Sequence, residues 1–269
     1  MTVARVITRP NADVVEQFEL DGDVIVTVDR LAAVMHDVGM EGDPRKLAYD
    51  LQRGGWLGTL RSRNAWEFLP AARAGAYSSG DRFLEFRAQQ ALRPDWPGTL
   101  AMESSAALLG LAQRIPEREV VALGDDVVFP KAMSGQWRCV RIVMPPECLT
   151  QIDGLPSWDR ECLIVGIGIR PSGYKDIAGL GQWLSVAPYQ VDLPKIVELL
   201  APASSAARQR TSYLLNASGN RAGAQQIIDI YPPTDTAWLG PRRQGGHYDP
   251  VTKVSDTLLH PYLSVGGGA

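Results

Sequence analysis

Five basic side chains lie close together near the start of this 269-residue chain and could neutralise the phosphates of a nucleic acid. Residues 44–66 carry them against a single acid, Asp50, whereas residues 1–43 hold three arginines against nine acids. Lysine and arginine supply the salt-dependent part of nucleic-acid binding. Because the whole chain has a formal net charge of −3, this segment is the main exception to its charge pattern. Its basic residues are Arg45, Lys46, Arg53, Arg61 and Arg63.

Residues that could do covalent or metal chemistry are few and scattered. The histidines, His36, His247 and His260, show no HExxH or HxH spacing, and the three cysteines form no CxxC pair. A GxxxxGK[ST] phosphate loop and a GxSxG nucleophile elbow are absent, and GIGIRPSG is a poor dinucleotide fingerprint. Ser104 and Ser105 fall inside a predicted helix, where packing is their expected role. The sequence therefore predicts a protein that is not an enzyme, with no catalytic residue, metal site or cofactor.

The basic residues of 44–66 fall on a predicted helix and on the hairpin after it. Asp43 followed by Pro44 predicts the start of the helix, and the Gly54–Gly55 pair predicts its end. Leu47, Ala48 and Leu51 have the spacing of a buried face, so the charged residues lie on another face. The runs WLGTL and AWEFL predict two strands, with RSRN as the turn between them.

Three elements precede this helix and complete a winged helix-turn-helix pattern. NADVVEQFEL predicts a first helix with Asn11 as its N-cap, DGDVIVTV predicts a turn and a short strand, and Thr27 is the predicted cap of a second helix. In such modules the helix after the turn enters the major groove and the hairpin contacts the DNA beside it. A basic helix face that only meets solvent is the alternative.

This pattern assigns a role in DNA binding to nine residues. Gln52 is the residue best suited to a base edge, because its amide can pair with adenine. The wing arginines are expected to contact phosphate, and the two N-terminal arginines could form an arm that reaches the minor groove. The predicted set is Arg45, Lys46, Tyr49, Gln52 and Arg53 on the helix, Arg61 and Arg63 on the wing, and Arg5 and Arg9 in the arm.

The remainder of the chain predicts a second, larger domain. DRFLEFRAQQAL predicts a linker helix and RPDWPG breaks it, which places the boundary between domains 1–95 and 96–269, although a boundary near residue 72 is nearly as well supported. REVVALG, DVVFP, WRCVRIVMP and CLIVGIGI predict strands. LAMESSAALLGLAQRI, DLPKIVELL, SSAARQRTSYLLNAS and NRAGAQQIIDIY predict helices. The expected fold class is α+β, an N-terminal winged helix-turn-helix domain followed by a mixed α/β domain.

Composition favours a globular chain that stays in the cytoplasm. The apolar fraction of 45% is ample for a buried core. The longest apolar runs, AALLGLA and CLIVGIGI, are much shorter than the roughly 20 residues of a membrane span. Three acids, Asp13, Glu16 and Glu19, occupy the region where a secretory signal needs an apolar stretch. No membrane partner is therefore expected.

Several stretches together resemble the AbiEi family of antitoxins from type IV toxin-antitoxin systems. These are the N-terminal winged helix from VTVDRLAAVM to RNAWEFLP, the helix in PGTLAMESSAALLGLAQRIP, and the C-terminal runs ARQRTSYLLNASGNRAGAQQI and WLGPRR. The resemblance implies that the N-terminal domain binds promoter inverted repeats and represses its own operon. It also implies that the C-terminal domain counteracts a nucleotidyltransferase-like toxin without a stable complex, through a basic surface. The matching residues here are Arg208, Arg210, Arg221, Arg242 and Arg243.

Two other functions remain open at this point. One is a winged-helix transcription factor whose C-terminal domain senses a small molecule or a partner. The other is an uncharacterised enzyme with a DNA-binding appendage. A neighbouring nucleotidyltransferase gene favours the antitoxin, release from the operator by a ligand favours the sensor, and turnover that depends on a metal or nucleotide favours the enzyme.

Overall fold

Side-chain caps start the second and third helices where the sequence predicts them. In the computed structural model, which describes residues 7–71, 79–185, 191–242 and 245–263, Thr27 Oγ1 accepts the backbone N–H of Arg30 at 3.1 Å. Asp43 Oδ1 accepts the backbone N–H of Arg45 at 2.9 Å. The prediction of Asn11 as the first N-cap is wrong, because Pro at the start of a helix allows it to begin earlier. The helices are α1 (Arg9–Asp21), α2 (Val28–Asp37) and α3 (Pro44–Arg53).

A three-stranded antiparallel sheet completes this region. Its order is β1-β3-β2, with Val26 opposite Trp66 and Gly58 opposite Glu67. The strands are β1 (Ile25–Thr27), β2 (Leu57–Thr59) and β3 (Ala65–Phe68), and helix α4 (Leu84–Leu92) follows. The apolar faces of α1, α2 and α3 meet the sheet in one core that includes Phe18, Leu31, Leu51 and Phe68. The predicted order of helix, strand, two helices and hairpin is confirmed, and it is that of a winged helix-turn-helix.

The described residues divide into two compact units. The first unit contains the residues up to Trp96 together with Pro130–Ser134, and the second contains Pro97–Phe129 and the residues from Gly135 onward. The short segment 130–134 joins the first unit although it lies far along the chain. Sequence periodicity does not indicate which unit a short segment joins, so the assignment of 130–134 to the first unit was not predicted.

Two sheets organise the second unit. A five-stranded mixed sheet has the order β6-β5-β4-β8-β7, in which β5 and β6 are parallel and β7 and β8 are antiparallel. A small sheet has the order β10-β11-β9. The strands are β4 (Thr99–Leu100), β5 (Glu119–Leu123), β6 (Trp137–Arg141), β7 (Leu149–Ile152), β8 (Leu155–Trp158), β9 (Ala237–Leu239), β10 (His247–Asp249) and β11 (Val254–Asp256).

Six helices complete the second unit, and the last three lie where they were predicted. They are α5 (Met102–Leu108), α6 (Arg160–Ile169), α7 (Ile177–Leu184), α8 (Leu193–Leu200), α9 (Ser205–Ala217) and α10 (Arg221–Ile230). Helix α5 is shorter than the predicted helix, because Gly110 adopts a left-handed φ of 70° just beyond it. Strands β5 and β6 are confirmed, but the DVVFP run forms no strand and leaves Val128 80% exposed.

The prediction of a strand at CLIVGIGI is wrong, because this run is the buried core of α6. Asp159 caps the helix and accepts the backbone N–H of Cys162 at 2.9 Å. An uninterrupted apolar run cannot be assigned to helix or strand from periodicity, since both are buried on all sides. Gly166 lies against the Trp158 ring and Gly168 lies against helix α9, so the two glycines allow close packing.

Candidate nucleic-acid interface

Helix α3 has one buried face and one exposed face. Leu47, Ala48 and Leu51 are at most 6% exposed and belong to the core of the first unit. On the other face Arg45, Lys46 and Arg53 are exposed, Tyr49 is 58% exposed, and Gln52 is half-buried. All five residues that were predicted to read the major groove are therefore present on the solvent side of one helix.

Two of these cations lie where a helix disfavours them. Arg45 and Lys46 occupy the first turn of α3, next to the positive end of the helix dipole. A positive charge there costs about 0.3–1 kcal/mol when it is exposed. The Asp43 cap offsets part of this cost. The two cations therefore lie where they oppose local stability, and both are exposed to solvent.

A glycine turn connects α3 to the wing and sets their relative position. Gly55 adopts a left-handed φ of 76°, and the backbone N–H of Trp56 then returns to the carbonyl of Leu51 at 2.9 Å. Gln52 Nε2 donates to Thr59 Oγ1 on β2 at 3.3 Å. One N–H of the Gln52 amide is thus engaged, while its carbonyl oxygen and second N–H remain able to meet a base edge.

Arg53, the third cation on the exposed face of α3, contacts an aromatic ring. The Arg53 guanidinium lies 5.8 Å from the centre of the Tyr49 ring, one helical turn earlier. This contact is within the range of a cation–π interaction and restricts the side chain without neutralising its charge. Arg53 therefore keeps its charge available to a phosphate.

The turn of the wing is anchored by a buried carboxylate that the sequence analysis missed. Glu85 on α4 accepts the backbone N–H groups of Arg61 at 2.5 Å and Ser62 at 3.2 Å, and the Ser62 hydroxyl at 2.7 Å. Gln89 donates to the same hydroxyl at 2.7 Å. Glu85 is only 7% exposed. The sequence shows Glu85 only as an acid on a predicted helix. It gives no indication that this residue contacts the wing.

The two wing arginines differ in their surroundings. Arg61 Nη1 donates to the backbone carbonyl of Ser134 at 3.0 Å, so its guanidinium is already engaged within the first unit. Arg63 is exposed on the same turn. Of the predicted N-terminal arm, Arg9 is exposed at the first position of α1, and Arg5 lies outside the described residues. Arg63 is therefore the wing cation best placed for a phosphate.

Two acids that precede α2 are paired with an arginine. Arg30 pairs with Asp23 at 2.8 Å and also with Asp21. A hydrogen bond from Gln17 and the contact with Arg30 lower the pKa of Asp21. The Arg30 charge is used in these pairs, so this residue does not extend the predicted DNA-binding set.

The basic residues proposed for the second unit have unequal roles. Arg208 donates to the carbonyls of Leu200 and Ala201, at 2.9 and 2.5 Å, and Arg210 donates to those of Trp238 and Gly168, at 2.8 and 3.0 Å. Burial lowers the pKa of Arg210. By contrast Arg221 and Arg242 are exposed, and Arg243 lies outside the described residues.

The candidate catalytic groups serve structural contacts. Ser104 donates to Glu119, and Ser105 donates to the carbonyl of Trp158 at 2.5 Å. Burial raises the pKa of the Cys162 thiol far above its usual range, so it is not a thiolate at neutral pH. Within residues 7–71, 79–185, 191–242 and 245–263, no cluster of three His, Cys, Asp or Glu side chains could hold a metal ion.

No protein-family model matches this chain, and neither does any curated protein. A solved structure does match: the crystal structure of the RV2827C protein from Mycobacterium tuberculosis is similar with a TM-score of 0.82. The two chains are 25% identical, and the match covers 97% of this chain and 96% of that chain. The similarity therefore extends over both units, so the whole mixed α/β architecture occurs in another protein.

No helix among the described residues combines the length and the apolar composition that a transmembrane helix needs.

Proposed function

We propose that this chain is a DNA-binding transcriptional repressor. The observation that carries the proposal is the exposed basic face of α3 beside a wing whose turn is fixed by Glu85. The helix would enter the major groove, where Gln52 contacts adenine while Arg45, Lys46 and Arg53 bind phosphates. The wing would lie on the adjacent backbone. Its target would be inverted repeats in the promoter of its own operon.

Mobility shifts on the upstream DNA at several salt concentrations test this assignment. Four cations are expected to contact phosphate, Arg63 and the three on α3, which gives a salt slope of about −3.6. The double variant Lys46→Ala/Arg53→Ala should halve this slope, because each lost phosphate contact removes about 0.9. Arg170→Ala, which removes an exposed arginine of the second unit, is the control. An unchanged slope in the double variant would show that α3 is not the DNA-binding helix.

We further propose that the second unit acts as the antitoxin of a type IV toxin-antitoxin system. The exposed Arg221 and Arg242 support this role, since they lie in stretches that resemble AbiEi antitoxins and their charge is available to a partner. The unit would neutralise a nucleotidyltransferase-like toxin without forming a stable complex with it.

Growth rescue in cells that co-express a nucleotidyltransferase-like toxin encoded next to this chain tests the second role. Arg221→Ala/Arg242→Ala should weaken rescue while leaving DNA affinity unchanged. Lys46→Ala/Arg53→Ala should weaken DNA affinity while leaving growth rescue unchanged. If both double variants rescue equally well, the division of labour between the units is wrong.

A second candidate function is a repressor that responds to a small molecule. A cavity of about 440 Å³ in the second unit favours it, since this volume lies within the usual range of ligand pockets. Its test is the release of operator DNA when a ligand binds.

A further inference from the structure

A charged cavity in the second unit has no part in the proposed DNA or toxin contacts. It has a volume of about 440 Å³. The segment before β5, the start of β6 and the segment before α7 surround it. The charged residues that line it are Glu103, Arg114, Glu117, Arg118, Arg138, Lys175 and Asp176.

The floor of the cavity is a buried ion pair. Glu103 is 4% exposed and pairs with Arg138, and its other oxygen accepts the backbone N–H groups of Lys175 and Asp176. Arg138 also donates to the carbonyl of Gly173 at 2.5 Å. The charge of Glu103 is therefore fully used within the protein, whereas the five N–H donors of Arg138 exceed these contacts.

The rim carries cations that the protein does not neutralise. The side chains of Arg114 and Lys175 are exposed and form no ion pair with a described residue. Arg118 is anchored by a hydrogen bond to the carbonyl of Trp137. Asp176 caps α7, where it accepts the N–H of Gly179 at 3.0 Å, and the exposed Glu117 is the third acid of the lining. Four basic side chains therefore line the cavity against three acids, and because Arg138 is paired with Glu103, the other five charged groups leave a formal excess of one positive charge.

One wall of the cavity is apolar. Ala112, Ile115 and Pro116 line it together with the buried Tyr174 ring. Ile115 is 74% exposed, so its side chain is accessible from the cavity. A ligand with an apolar part would cover this surface.

Backbone strain marks the same place. Met102 is fully buried and adopts a φ of 49°, in the left-handed region that residues with a side chain disfavour. It directly precedes Glu103, whose side chain lines the cavity. Strained residues concentrate at binding and catalytic sites, where the surrounding structure holds them.

We propose that this cavity binds a small organic anion. Its phosphate or carboxylate group would contact Arg114 and Lys175 above Arg138, and its apolar part would lie against Ile115 and Pro116. This site names a ligand class for the second candidate function, a repressor that responds to a small molecule, and it is independent of the proposed DNA-binding and antitoxin roles.

Isothermal titration of the full-length protein with phenyl phosphate tests the site, at an ionic strength matched with KCl. One molecule should bind per chain. Inorganic phosphate, which lacks the apolar part, and benzyl alcohol, which lacks the charge, should each bind at least tenfold more weakly. Phenylacetate shows whether a carboxylate can replace the phosphate, and binding of either anion supports the site. Absence of binding by both at concentrations up to about 10 mM, tenfold above a millimolar dissociation constant, overturns it.

Substitutions of the cavity residues show whether phenyl phosphate binds in this cavity. Arg114→Gln/Lys175→Gln should weaken phenyl phosphate binding about tenfold or more, because two charge-assisted hydrogen bonds are lost. Both residues are exposed, so the variant should fold, and a thermal melt checks this. Arg170→Gln, an exposed arginine outside the cavity, should bind like the parent protein. Equal affinity in all three proteins overturns the site.

Operator affinity, measured in the absence of phenyl phosphate, separates this proposal from the DNA-binding one. The cavity variant should bind DNA as well as the parent protein does. If the cavity variant loses anion binding and keeps DNA binding, the cavity proposal is supported. If the parent protein binds the anion but no DNA, the repressor proposal is overturned and the cavity proposal stands.

Discussion

Helix α3 of the first unit and the packed pair of helices α6 and α9 in the second unit use the same kinds of residues in opposite ways. In α3 the apolar residues occupy one face and the cations the other, so packing and binding are separated. Helix α6 is buried around almost its whole circumference, and the arginines of α9 bind backbone carbonyls. An arginine count therefore indicates a basic surface in α3 and misleads in α9.

The difference has a physical cause. A short amphipathic helix at the edge of a small domain leaves half its surface in water, where a charge is hydrated and remains available. At the centre of a larger unit the ends of helices and strands leave carbonyls that need donors, and the long planar guanidinium group supplies them. Four predictions test this contrast, in order of decreasing expected effect on stability.

Gly168→Ala should have the largest effect. A Cβ at this position would collide with Thr211 Oγ1 and lie 3.1 Å from the Ala207 carbonyl oxygen, both on α9. Alanine normally stabilises a helix interior by about 1 kcal/mol relative to glycine. Here overpacking should reverse the sign and cost about 3 kcal/mol. Urea unfolding, monitored by circular dichroism, measures this change in the free energy of unfolding. A stabilised variant would mean that α6 and α9 are not in close contact.

Arg210→Ala should cost about 2 kcal/mol, because two backbone carbonyls lose a charged donor. Arg221→Ala is the matched control on the next helix, where an exposed arginine should change the free energy of unfolding by less than about 0.5 kcal/mol. Urea unfolding of both variants gives the comparison. If the two cost the same, the arginines of the second unit are not divided into structural and exposed classes.

Local signals explain how much of the fold was predictable. Asp43 and Thr27 cap helices through contacts within three residues, and such contacts are visible in sequence. The assignment of α6 failed because its apolar run lacks periodicity, although Asp159 was available as a cap. The small sheet of β9, β10 and β11 was not predicted, since it depends on the parallel pairing of β9 with β11, which places Ala237 opposite Val254 and which no local pattern encodes.

The candidate interface shows the same limit. The exposed residues of α3 follow from helical spacing alone. The anchoring of the wing by Glu85 joins residues 23 and 24 positions apart, and the bond from Arg61 to Ser134 spans 73 positions. Contacts at such separations depend on the tertiary fold, so no local pattern encodes them. The sequence therefore predicted which residues are exposed, but not which of them are already engaged.

Asp43→Ala should destabilise the first unit by about 1 kcal/mol, because α3 loses its N-cap. Asp50→Ala removes the same charge from an exposed position within the helix and is the control. Thermal unfolding of both variants measures the difference. Equal melting temperatures in the two variants would mean that the capping hydrogen bond of Asp43 does not contribute to stability beyond the effect of its charge.

Arg53→Ala should have the smallest effect on stability and yet a large effect on binding. The residue is exposed and its contact with the Tyr49 ring is at the surface, so the free energy of unfolding should change by less than about 0.5 kcal/mol. Loss of one phosphate contact should weaken operator binding about tenfold at 0.1 M salt. Denaturation and mobility shift on the same preparation measure both quantities. A variant that loses stability and keeps its DNA affinity would place Arg53 among the structural arginines, and the contrast between α3 and α9 would then no longer hold.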